Sequence, residues 1–127
     1  MKQKPKILVV DDDAELVTVM KGALESKSYD VIVAFNGKEG LEKAKKEKPD
    51  LVILDILMPV MDGFMFADLF NKDPSLAKTP VIALTSFSES LGQPFPFEVC
   101  EYVLKPLKPK ELIAKVEDHL KKRGSQT

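Results

Sequence analysis

Residues 7–10 in "KILVVD", 51–54 in "DLVILD" and 81–84 in "PVIALTS" each set four aliphatic residues in a row without a polar interruption. A strand with one wet face alternates apolar and polar side chains. An unbroken run this short therefore reads as a strand covered on both faces. Two further short runs rich in β-branched or aromatic residues, "DVIVAF" (30–35) and "EYVLKP" (101–106), complete a set of five. Between them the spacing becomes helical: Leu16, Met20 and Leu24 fall at i, i+4, i+8, as do Leu112, Val116 and Leu120 near the end. Asn36 or Gly37 opens a lysine- and glutamate-rich helix that must stop before Pro49, and Gly63 leads into "FMFADLFNK". Strands alternating with helices, with both sheet faces covered, predict a parallel α/β sheet.

Other features narrow the class. A chain of 127 residues suits one domain over 1–127, and its net charge of −1 offers no general attraction to nucleic acid or a membrane surface. No apolar run reaches the roughly 20 residues that span a bilayer. "MKQKP" runs straight into a strand, and the lone Cys100 excludes an internal disulfide framework. The expectation is a cytoplasmic domain.

In a parallel α/β sheet, ligands gather at the carboxyl ends of the strands. Here those ends carry Asp11, Asp12 and Asp13, then Asp55, Thr85 and Lys105. Helix capping accounts well for Asp12 or Asp13 and poorly for Asp55. Carboxylates converging at one edge repel one another, and a hard divalent cation relieves that repulsion. Mg²⁺ in particular takes one or two carboxylates together with water and phosphate oxygens. An ionised aspartate beside it is a nucleophile towards phosphorus, with a lysine and a hydroxyl to meet the phosphoryl oxygens. This chemistry points to phosphoryl transfer onto aspartate.

"ILVVDDD", "LVILDILMPVMDG", "VIALTS" and "EYVLKP", in this order and spacing, resemble a response-regulator receiver domain of the CheY-like superfamily, over a core of about 6–122. The resemblance implies a flavodoxin-like, doubly wound, five-stranded parallel sheet in the order 2-1-3-4-5. It implies Asp55 as phosphoacceptor, and Mg²⁺ or Mn²⁺ held by Asp11, Asp12, Asp55 and the backbone carbonyl of Leu57. Lys105 matches the residue that contacts the phosphoryl group, Thr85 the switch hydroxyl and Tyr102 the switch aromatic. Asp13 is then a helix cap, and Pro59, Asp62 and Gly63 shape the loop after Asp55. The implied donor is a histidine kinase or histidine phosphotransfer protein, and the output is an unnamed protein partner, with no nucleic acid and no membrane bound by this domain. Places two after Asp55 and two after Thr85 influence attack by water in relatives. Here they are Leu57 and Phe87, both apolar, which predicts slow self-dephosphorylation.

Two other functions compete with this one. An aspartate-nucleophile phosphohydrolase usually has a proton-donating carboxylate two places after the nucleophile. Leu57 cannot serve there, so no turnover substrate is expected. A pseudo-receiver that binds partners without phosphorylation conflicts with the complete acidic set. Among single residues, His119 is expected to be solvated among Glu117, Asp118 and Lys121. Cys100 is expected in the core, and Phe64, Phe66 and Phe70 as helix packing. Between Thr85 and Lys105, "SESLGQPFPFEVCEY" (88–102) carries Gly92, Pro94 and Pro96, which predict an irregular or shortened fourth helix. Packing of Phe95 and Phe97 is favoured over their use as partner anchors.

Overall fold

A computed structural model describes residues 4–55, 66, 69, 70, 72–76, 78–85, 101–104 and 108–125. Its strands are β1 (Lys6–Val10), β2 (Asp30–Ala34), β3 (Leu51–Asp55), β4 (Val81–Thr85) and β5 (Glu101–Leu104). All pair in parallel, in the order β2-β1-β3-β4-β5. The described helices are α1 (Ala14–Glu25), α2 (Gly37–Glu47) and α3 (Pro109–Ser125). The five expected strands and their order are therefore present. The segment 86–100, where a short or irregular fourth helix is expected and where Cys100 lies, is outside the described residues, as is Phe64.

Because successive strand residues face opposite ways, each aliphatic run supplies two cores. Leu8, Val10, Val52 and Leu54 join Leu41 and Ala44 of α2 with Phe66, Phe70 and Leu76 on one face. Ile7, Val9, Leu51 and Ile53 join Val17, Met20 and Leu24 of α1 with Leu112 and Val116 of α3 on the other. Every residue of central β3 is buried, whereas edge strand β2 runs from exposed to half-buried to buried. This is the physical reason why β3 tolerates no polar residue before its end. Phe66 and Phe70, one helical turn apart, are fully buried with ring centroids 5.5 Å apart. Their reading as packing residues holds.

Local chemistry sets the helix ends. Asp13 caps α1, its Oδ1 accepting from the amides of Glu15 at 3.1 Å and Leu16 at 3.2 Å. Asn36 caps α2 by accepting from Glu39 N at 2.8 Å. That helix ends at Lys48, in the left-handed region with φ 50°, directly before Pro49. Within α2, Gly40 permits close approach to β1: a Cβ there would lie 2.9 Å from Val10 Cγ2. The open edge of β2 is partly blunted by Lys43, whose ammonium donates to the Val33 carbonyl. Among the described residues no helix is long and apolar enough to cross a membrane.

Candidate functional site

β1 and β3 lie side by side with β2 on the far side of β1, so the chain leaves β1 at the point where the winding direction reverses. Crevices at such points open at the carboxyl ends of the strands. The last registered pair is Val10 with Leu54, so the next residue of each strand is an aspartate. Asp11 N donates to Ala34 O at 3.1 Å, extending the β1–β2 pairing one residue further. Asp11 Oδ1 in turn accepts from Asp13 N at 3.0 Å, which orients its carboxylate. Asp11 is fully buried and Asp55 only 6% exposed, whereas Asp12 is exposed.

The structure thus brings Asp11, Asp12 and Asp55 together, with one carboxylate oxygen from each lying within 4.8 Å of the others. Oxygens on one octahedral Mg²⁺, at about 2.1 Å from it, sit about 3 Å apart when adjacent and about 4.2 Å when opposite. The three aspartates need only small side-chain movements to meet that geometry, so the donor set fits a hard cation. Exposed Asp12 leaves a side open to water and to a phosphoryl oxygen.

Of the other expected residues, Thr85 and Tyr102 have described backbone positions. Asp55 pairs with Leu84, so Thr85, the last residue of β4, lies one step further towards the same edge. Thr85 pairs with Leu104, the last residue of β5, and Lys105 follows it in the chain. Tyr102 pairs with Ala83 inside the sheet. Leu57, Lys105 and Phe87 lie outside the described residues, as do Pro59, Asp62 and Gly63.

A family model described as the response regulator receiver domain matches residues 7–117. The chain belongs to this family. The receiver is 37% identical over 119 residues to the alkaline phosphatase synthesis transcriptional regulatory protein PhoP of Bacillus subtilis, covering 92% of this chain. It spans about half the length of that regulator, 49%. In structure it resembles a CheY-like receiver domain protein from Methanospirillum hungatei, with a TM-score of 0.89 and 27% identity, covering 98% of this chain and 99% of the other. The receiver domain of sensor histidine kinase PA1611 from Pseudomonas aeruginosa has the same fold, with a TM-score of 0.84 and 24% identity over 92% of this chain and 98% of that one. The PA1611 structure has a magnesium ion coordinated in its active-site cleft.

One expectation for this receiver is overturned. His119 is not a solvated side chain but a buried one, 9% exposed, with Nε2 3.0 Å from Glu101 Oε1. Lys115 is bound to the other oxygen of the same carboxylate. Burial pushes the Glu101 carboxyl up, but the hydrogen bonds from Lys115 and His119 outweigh it and hold the group below the ordinary glutamate value. The sequence signal was present. His119 falls at i+7 from Leu112 and i+3 from Val116, on the apolar stripe, yet its charged chain neighbours suggested a wet face.

Proposed function

We propose that this receiver accepts a phosphoryl group on Asp55 in a Mg²⁺-dependent transfer from a phosphohistidine of a histidine kinase or phosphotransfer protein. The convergence of the Asp11, Asp12 and Asp55 carboxylates at one strand edge carries this reading. Asp11, Asp12, Asp55 and the Leu57 carbonyl would hold the cation, which neutralises charge on the phosphoryl oxygens when bound. A carboxylate oxygen of Asp55 attacks phosphorus as the bond to the donor's imidazole nitrogen breaks. The bonding pair leaves with the imidazole, which picks up a proton. Asp11, its carboxylate oriented by Asp13 N, lies beside the attacking group. The Lys105 ammonium and the Thr85 hydroxyl meet the phosphoryl oxygens as charge spreads over them.

The product is an aspartyl phosphate that shifts a protein-binding surface through Thr85 and Tyr102, not a released product of turnover. The domain acts in the cytoplasm, as one unit over 1–127, and its output is read by a protein. Incubation with Mg²⁺ and acetyl phosphate, followed by intact-mass analysis, tests this. One added phosphoryl mass on the wild-type chain and none on Asp55→Asn is expected. An unlabelled wild-type chain, under conditions that label a related receiver, favours a phosphorylation-independent module instead. Continuous phosphate release from simple esters would indicate a phosphohydrolase.

A further inference from the structure

Among the described residues β5 is an edge strand of four residues paired with β4, and the chain runs from it directly into Lys105. What fixes its position against the helical layer is visible at two odd-numbered places. Val103 enters the core shared by α1 and α3, and Glu101 reaches α3 through both carboxylate oxygens. Its two partners, Lys115 and His119, lie at i and i+4, so one carboxylate straps successive turns of the helix. Lys105 follows Leu104, the last residue of the strand, in the chain. α1 also packs on α3, and it brings Val17, Met20 and Leu24 to the shared core. Asp118, a charged group beside His119, is exposed and paired with Lys122.

We propose that Glu101, Lys115 and His119 are positioning residues for phosphoryl transfer. They clamp β5 to α3, and so set where the strand delivers Lys105 and Tyr102. The inference rests on the phosphoacceptor reading for its kinetic consequence but not for its geometric one. A displacement of the strand end by about 1 Å is enough to cost up to about a hundredfold in a positioned reaction.

Two measurements on the full chain test the clamp. The first is the rate of Asp55 labelling by acetyl phosphate with saturating Mg²⁺. Glu101→Ala and His119→Ala are expected to slow it about tenfold, and His119→Gln, which keeps an amide donor, to recover most of the loss. In a Lys105→Ala background, Glu101→Ala is expected to add nothing, because the group it positions is gone. Full additivity of the two losses, or a single-variant rate within twofold of wild type, overturns the proposal. The second is the backbone amide spectrum without phosphodonor. His119→Ala is expected to move the amides of residues 102–105 and not those of β2. Shifts confined to 101, 115 and their helical neighbours also overturn it. Should the wild-type chain take no label, the phosphoacceptor reading fails on its own, and the amide spectrum still decides the clamp.

Discussion

Two clusters of ionisable groups sit at opposite ends of this sheet, and they are built on opposite electrostatic plans. At the ends of β1 and β3, Asp11, Asp12 and Asp55 bring carboxylates of one sign within 4.8 Å of one another. At β5 and α3, Glu101 meets Lys115 and His119, so a carboxylate is matched by its own cation and a ring nitrogen. Like charges gathered in a crevice gain free energy from a cation supplied from outside; matched charges are already compensated within the fold. The first arrangement is that of a site and the second that of a fastener. In the proposed transfer the first serves the chemistry, and the second positions the strand that leads into Lys105.

The largest expected effect lies at the acidic cluster. Asp55→Asn abolishes phosphoryl incorporation, read as intact mass after incubation with Mg²⁺ and acetyl phosphate, whereas any labelling of that variant moves the acceptor elsewhere. Next is the cation itself. At about a hundred times its dissociation constant, Mg²⁺ stabilises the fold by about 2.7 kcal/mol, which a chelator removes. Asp12→Asn weakens Mg²⁺ at least about tenfold and leaves the metal-free protein no less stable, since it relieves repulsion. A clear loss of metal-free stability in Asp12→Asn would refute the contrast between the clusters.

Smaller effects follow from lifetime and pH. Leu57→Asn or Phe87→Glu shortens the half-life of label on Asp55 by giving water an orienting group; an unchanged half-life removes that role. Glu101, held below its ordinary 4.5, stabilises the fold above that pH and loses the contribution as pH falls through its lowered value. Thermal unfolding of Glu101→Gln therefore falls less steeply than wild type as acid is added below about pH 4.5. Because the Glu101 side chain is 31% exposed, the difference stays within about 1 kcal/mol. The smallest effect belongs to the exposed pair of Lys122 and Asp118, 3.1 Å apart. Lys122→Ala leaves the unfolding midpoint unchanged within error, and a measurable drop would show that surface pairing on α3 contributes more than exposure permits.

Much of the site was legible without coordinates because it is encoded in short local runs. Four aliphatic residues followed by aspartate name a buried strand and the residue at its end, and both "ILVVD" and "LVILD" are written that way. The cap at Asp13 was legible for the same reason, since capping acts over three residues. His119 was misread because its immediate neighbours are charged, while its burial depends on what β5 places opposite it. Gly40 gave no warning, since only the packing of α2 on β1 makes its missing Cβ matter.

By itself, then, the sequence determined the alternation of buried strands and amphipathic helices, and which residues stand at the strand ends. Those properties follow from periodicity and composition along the chain. Strand order was available only through family resemblance, because nothing local tells β1 to lie between β2 and β3. Tertiary structure alone decided that Asp11 and Asp55 fall side by side, and that one glutamate fastens an edge strand to a helix. Both depend on register between segments distant in the chain, which is a property of packing and not of any single segment.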